Sequence, residues 1–292
     1  MADSLFVERT FGRFGVGPGE LTAPQGVTVD PKGRILVADT GNHRIVRFDS
    51  TGAYIDQFGG FGPDAGRFDH PTDVATGGTL GIWVLDRGNE RIVKFDIEGH
   101  ALGTVVALRS DVLRARLGMV EPGGFAVDRS GQITLTDRAE DRVIEFDPLG
   151  AVLLVRGRFG DGPGSFADPS GVAVDPRGGA LVGDSGNRRV QRLDAFGGVL
   201  RMFAPGPGFG GAAGYAMALA PDGSWAIADL ASGRLAVFAA SGGLLAFRAP
   251  RDKGDLWASG LAFDASGRLL VTDARHHRVV RLLRLARSAG AP

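Results

Sequence analysis

The 292-residue chain has no cysteine, which excludes disulfides and thiolate metal centres while leaving the redox compartment open. It has no formal net charge: 33 basic residues stand against 33 acidic ones, so no global field attracts nucleic acid or an anionic membrane. Such a contact would need a local patch. Nowhere do about 18 consecutive apolar residues occur, so no membrane-inserted helix is expected. The opening MADSLFVERT lacks a basic segment followed by an apolar one, and the chain as given reads as cytoplasmic. What the chain has is glycine, 47 residues of it, and a hydrophobic fraction of 43%. That combination points to many turns, a substantial core and β structure rather than long helices.

A block recurs six times. The clearest copy begins at Pro24, PQGVTVDPKGRILVADTGNHRIVRFDSTGAYIDQFGG, and its partners contain VLDRGNERIVKFD, LTDRAEDRVIEFD, VGDSGNRRVQRLD, IADLASGRLAVFA and VTDARHHRVVRLL. The anchoring aspartates Asp39, Asp86, Asp137, Asp184, Asp229 and Asp273 are spaced by 47, 51, 47, 45 and 44 residues. This period accommodates four short strands and their turns. In the first copy GVTVD, ILVADT, RIVRFD and AYIDQFG suit strands a, b, c and d, separated by the turns DPKG, TGNH and DSTG.

Segments AVLLVRG from Ala151, GVLRMFA from Gly198 and GLLAFRA from Gly243 supply later d strands, whereas the sixth copy lacks one. LFVERTFG, ahead of the first copy, resembles an orphan d strand. The expected fold is therefore all-β: a six-bladed β-propeller of four-stranded antiparallel blades, closed by the N-terminal strand completing the last blade. A single domain over residues 1–287 with a short tail, 288–292, follows. Along the a strands Val27, Val74, Phe125, Val172, Met217 and Leu261 precede Thr28, Ala75, Ala126, Ala173, Ala218 and Ala262, and this pairing of large with small suits blades that converge on an axis. The stretch SDVLRARLG from Ser110 reads as a helical insertion in the longest repeat.

The pattern P-x-G-V-x-V-D, then V-A-D-T-G-N-x-R-I, then F-G-x-x-G, with Asn42-His43-Arg44 at its centre, resembles the NHL repeat family over nearly the whole chain. Glu140 and Ser232 depart from it where the first copy has Asn42. The resemblance implies a propeller whose b–c turns and d-to-a connections share one ligand-carrying face, here called the top. It implies no single activity, because the family includes RNA-binding domains, protein-interaction propellers, sensor domains and peptide-amidating lyases.

An arginine follows each anchoring aspartate by five positions: Arg44, Arg91, Arg142, Arg189, Arg234 and Arg278. Across a four-residue turn these positions face each other on paired strands, so a structural Asp–Arg bridge is expected in every repeat. Glycine-rich loops such as FGRFGVGPGEL and RFGDGPGSF lack the lysine and strand-to-helix setting of a phosphate loop and read as connectors. The b–c turns sum to a formal charge of +1 and Asp69, Asp73, Glu121 and Asp168 oppose the nearby arginines, which disfavours RNA binding. His43, His70, His276 and His277 fall near the seam, but their different strands argue against convergence on zinc, and no metal or cofactor is expected. Asp73 stands out. Its column otherwise holds Gly26, Gly124, Gly171, Ala216 and Gly260, and a carboxylate there requires a partner, a water or a ligand. A lactonase-like calcium site would need several inward carboxylates.

The preferred reading is a non-catalytic scaffold presenting its top face to a protein or peptide. Candidate contacts are Gln25, His70, Thr72, Asp73, Arg87, Arg138, Ser170, Arg188, Arg275 and His276. The alternatives are a metal-dependent lyase or hydrolase and an RNA-binding domain.

Overall fold

The computed structural model describes residues 3–78, 81–175, 178–252 and 254–285. β1 (Asp3–Phe11) precedes the first full repeat, which forms β2 (Pro24–Val29), β3 (Ile35–Asp39), β4 (Arg44–Phe48) and β5 (Tyr54–Gly59). The second repeat forms β6 (Pro71–Gly77), β7 (Gly81–Asp86), β8 (Arg91–Asp96) and β9 (Ala101–Ala107), and then α1 (Asp111–Leu117). The third and fourth form β10 (Pro122–Val127), β11 (Ile133–Asp137), β12 (Arg142–Phe146) and β13 (Val152–Arg156), then β14 (Pro169–Val174), β15 (Ala180–Asp184), β16 (Arg189–Leu193) and β17 (Val199–Phe203). The fifth forms β18 (Tyr215–Leu219), β19 (Trp225–Asp229), β20 (Leu235–Phe238) and β21 (Leu244–Arg248), and the last β22 (Ala258–Phe263), β23 (Leu269–Asp273) and β24 (Arg278–Leu285).

Local chemistry sets these boundaries. In the first a–b turn the Asp30 carboxylate accepts from the amides of Lys32 and Arg34, both at 2.9 Å, and Gly33 supplies the positive φ of 78° that closes it. The helix expected from Ser110 is present as α1, its start capped by the Ser110 hydroxyl accepting from the Leu113 amide at 3.3 Å.

The expectation of six separate four-stranded blades is corrected. The strands form four sheets of four, β2–β5, β6–β9, β10–β13 and β14–β17, and one sheet of eight in the order β18-β19-β20-β21-β1-β24-β23-β22. β1 causes the difference because it is used on both edges. It runs antiparallel to β24 from Ser4↔Leu285 to Phe11↔Val279, as an added outer strand would. Its first residues, Asp3 and Ser4, also pair in parallel with Ala246 and Phe247 of β21, which welds the fifth and sixth repeats into a continuous sheet. No edge is left exposed along β1 at that point. The tail expected at 288–292 lies outside the described residues.

The inner strands β2, β6, β10, β14, β18 and β22 contact one another in that cyclic order, β22 returning to β2. An all-β propeller with a central channel results. Its core is divided among the sheet interfaces. Leu36, Ala38 and Ile45 pack on Val74, Ile82 and Val84 between the first two sheets, and Phe11, Val27 and Val37 pack on Ala262, Leu270 and Val279 where the chain's two ends meet. The large column of the a strands, Val27, Val74, Phe125, Val172, Met217 and Leu261, is buried throughout.

Candidate binding site in the axial channel and its rim

Each anchoring aspartate has no exposed surface and sits at the C-terminal end of a b strand, and Asp39, Asp86, Asp137, Asp184 and Asp229 each accept from an amide of the preceding inter-repeat loop and tie it to the sheet. Asp39 accepts from the Thr22 amide at 2.6 Å, from Asn42 at 2.8 Å and from Arg44 at 2.8 Å. Arg44 in turn donates to the carbonyls of Val16 and Glu20, at 2.7 and 2.8 Å, so one buried carboxylate organises a loop of its own repeat. Equivalent ion pairs join Asp86 to Arg91 at 2.8 Å, Asp137 to Arg142 at 2.8 Å, Asp184 to Arg189 at 2.5 Å and Asp273 to Arg278 at 3.0 Å. Burial pushes Asp39 and Asp137 above the usual carboxylate range, against the amide and arginine hydrogen bonds that pull them down.

The fifth repeat differs from the expected uniform bridge. Among the described residues Asp229 and Arg234 form no ion pair; Asp229 accepts instead from the amides of Gly211, Ala231 and Ser232, at 2.9, 3.0 and 2.7 Å. Arg234 reaches the Gly208 carbonyl at 3.4 Å. With Ser232 in place of asparagine and the c strand starting one residue later, backbone amides have taken over the arginine's role.

A second set of contacts bolts neighbouring repeats together across the top. The residue with left-handed backbone in a b–c turn accepts from an amide of an adjoining loop: His277 Nδ1 from Ala23 at 3.0 Å, His43 Nδ1 from His70 at 3.0 Å, and the Asp141 carboxylate from Asp168 at 2.7 Å. His43 and His70 do converge, against the expectation from their strand positions, with ring centroids 4.5 Å apart. Together with Asp69 they offer ligand atoms within 4.8 Å of one another, a set that could hold a metal ion. The Nδ1 lone pair of His43 is already committed to the His70 amide, so a metal there would have to displace that bolt. His276 stays apart, 2.8 Å from Asp273.

Six of the ten expected contact residues, Gln25, Thr72, Asp73, Arg87, Arg138 and Ser170, line one axial cavity of about 440 Å³. Its walls otherwise carry glycine, alanine, valine and threonine together with larger side chains, Phe125, Tyr215, Met217 and Phe263 among them. Ser170 is committed to structure, its hydroxyl accepting from the Tyr215 amide at 2.7 Å. Arg87 lies 3.2 Å from Glu121, and Arg138 holds Asp168 through two bonds of 2.6 and 3.0 Å. Asp73 leans over Gly26, so closely that a Cβ at Gly26 would collide with the Asp73 Oδ1. The Asp73 carboxylate accepts from its neighbour's amide, Val74, at 2.9 Å, and burial pushes it up to about 7. Burial likewise pushes the Tyr215 phenol, also on the wall, up to about 12.

The other four expected contacts, His70, Arg188, Arg275 and His276, lie outside that lining. Arg188 is exposed, and the Arg275 guanidinium stacks 3.6 Å from the centroid of the Trp257 ring. Sequence reasoning missed Trp257 and three phenylalanines. Phe14, Phe61 and Phe159 are 68%, 67% and 77% exposed, although burial is the rule for this side chain. Each begins a parallel bridge to the loop's end, to Leu21, Phe68 and Phe166 respectively, whose side chains are buried. Phe14 packs on His277 at 4.7 Å and Phe61 on His43 at 5.0 Å, which sets these loops beside the b–c turns on the top. The signal was the recurrence of Phe-Gly at the start of loops that the sequence assigned to connection alone.

Comparison with known proteins agrees with this architecture. The NHL repeat model matches residues 21–48, 166–193 and 256–282. Protein lin-41 of Caenorhabditis elegans is 48% identical over 48 residues, 16% of this chain and 4% of that protein. Protein brain tumor of Drosophila melanogaster is 52% identical over 44 residues, 15% of this chain and 4% of that protein. The matched stretches thus span a small fraction of these relatives. Among solved structures, a streptogramin B lyase superposes with a TM-score of 0.65 at 14% identity, covering 96% of this chain and 98% of that one. A gluconolactonase from Xanthomonas campestris gives 0.62 at 18% identity, covering 91% and 88%. At these identities the likeness is one of fold. Among the described residues no helix is long and apolar enough to cross a membrane.

Proposed function

This chain is an NHL-repeat protein, and on that premise we propose that it is a non-catalytic binding propeller whose top face receives a protein or peptide partner. The observation that carries the reading is the trio Phe14, Phe61 and Phe159, held out to solvent at equivalent positions of three inter-repeat loops. Exposed aromatic side chains, two of them next to Arg13 and Arg158 in the chain, have the composition of interface anchors. The buried partner in each bridge is Leu21, Phe68 or Phe166, so closing the loop does not call for the exposed ring.

The test is quantitative. Replacing Phe14, Phe61 and Phe159 with alanine together should leave the melting temperature within a few degrees, because exposed side chains contribute within about 0.5 kcal/mol each. The same variant should lose at least tenfold in affinity for any partner captured by the wild-type protein. Undiminished capture overturns the reading.

A metal-dependent lyase or hydrolase has one observation in its favour, the cluster of His43, Asp69 and His70. Stoichiometric zinc in the purified protein, lost in His70→Ala together with turnover on ester or lactone substrates, would favour it over the binding reading.

A further inference from the structure

We propose that the axial channel is a receptor for a single cationic group, a primary ammonium, which docks on the carboxylate of Asp73. The identification of that group as a lysine side chain or amino terminus of a protein partner rests on the protein-binding reading; the channel's preference for a cation does not.

Four of the six inner strands present glycine at this level, Gly26, Gly124, Gly171 and Gly260, and one presents Ala216. At the glycine positions a Cβ would meet the neighbouring inner strand, so the strands approach closely there, and at this level Asp73 alone carries a polar side chain on the cavity wall. The carboxylate meets backbone amides, those of Val74 and Phe125, but among the described residues no lysine or arginine pairs with it. The two cations on the same wall are engaged elsewhere, Arg87 by Glu121 and Arg138 by Asp168. Asp73 is therefore an acceptor with spare capacity, half-buried on the channel wall and facing open volume. A carboxylate partly desolvated in this way gains more from an arriving cation than a fully exposed one does, because water screens the pair less. A neutral alcohol gains at most a hydrogen bond from it, without the ion pair. A cavity of about 440 Å³ admits an unbranched alkyl chain ending in an ammonium.

The other ionisable groups on the channel wall are Arg87, Arg138 and Tyr215. The arginines stay charged, and burial holds the Tyr215 phenol neutral up to about 12, so between pH 6 and 8 Asp73 alone among them changes charge. Ammonium binding should then rise with pH through about 7.

The full chain is titrated with n-butylammonium chloride and, separately, with 1-pentanol, by calorimetry or by amide shifts of Gly26 and Gly124. At pH 8 the ammonium should bind at least about tenfold more tightly than the alcohol, and on going to pH 6 its affinity should fall roughly tenfold as Asp73 protonates. Asp73→Asn should abolish both the preference and the pH dependence. The pH comparison uses the wild-type chain alone and stands if Asp73→Asn does not fold. Equal binding of ammonium and alcohol, no binding of either, or an ammonium affinity unchanged in folded Asp73→Asn overturns the proposal. Ammonium binding without any partner captured would instead defeat the protein-binding reading and leave this one standing.

Discussion

A desolvated carboxylate without a cation weakens the folded state wherever it is ionised, and Asp73, half-buried on the channel wall, is placed to show this. Its folded pKa of about 7 exceeds the unfolded value of 3.8, so the folded chain binds the extra proton between these values and stability falls as pH rises from about 4 through about 7. A rise of that size corresponds to at most about 4 kcal/mol. Asp73→Asn should therefore raise the melting temperature at pH 8 and change it little at pH 4, a contrast that thermal melts at the two pH values would measure. Asp184 and Asp229 offer a second contrast. Arg189→Ala removes the ion pair to a fully buried carboxylate and its bonds to the Gly162 and Ser165 carbonyls, and should cost about 3 kcal/mol in denaturant unfolding. Arg234→Ala removes no ion pair to Asp229 and should cost under about 1 kcal/mol. The six Asp–Arg spacings were legible in the sequence. That the fifth is satisfied by amides was not, because a five-residue spacing sets strand positions opposite each other and leaves the side-chain rotamer to the shape of the turn.

At the scale of elements, β1 matters most. Its burial does not alternate: Leu5 and Phe11 enter the core at 4% and 9% exposure while Phe6 to Thr10 between them are exposed, Val7 at 51%. Leu5 packs in the cluster that also contains Leu235, Ala246 and Val280, at the junction of the fifth and sixth repeats. Leu5→Ala should cost about 2–3 kcal/mol in denaturant unfolding. Val7→Ala should stay within about 0.5 kcal/mol. Equal effects would mean that β1 is not held at that junction. The strand was legible as an orphan d segment, and its antiparallel place beside β24 corresponds to that reading. Its parallel pairing with β21, which merges two repeats into one sheet, was not legible, because two backbone bridges at Asp3 and Ser4 leave no side-chain pattern to read.

At the scale of the molecule, periodicity in one dimension became a ring, and the ring made sites from residues distant in the chain. His43 and His70 meet although one closes a b–c turn and the other opens an inner strand, because the loop that follows a d strand crosses over to the turn of its own repeat. The channel collects Gln25, Thr72, Asp73, Arg87, Arg138 and Ser170 from four repeats. The sequence by itself determined the repeat, its strands, the buried aspartates and the singular charge of Asp73, since each of these is a matter of local spacing or of one column compared with itself. Only the tertiary structure decided how many sheets the strands make, which arginines are already engaged and which phenylalanines face solvent. Those outcomes depend on the distance between side chains of different repeats, a quantity that no separation along the chain encodes.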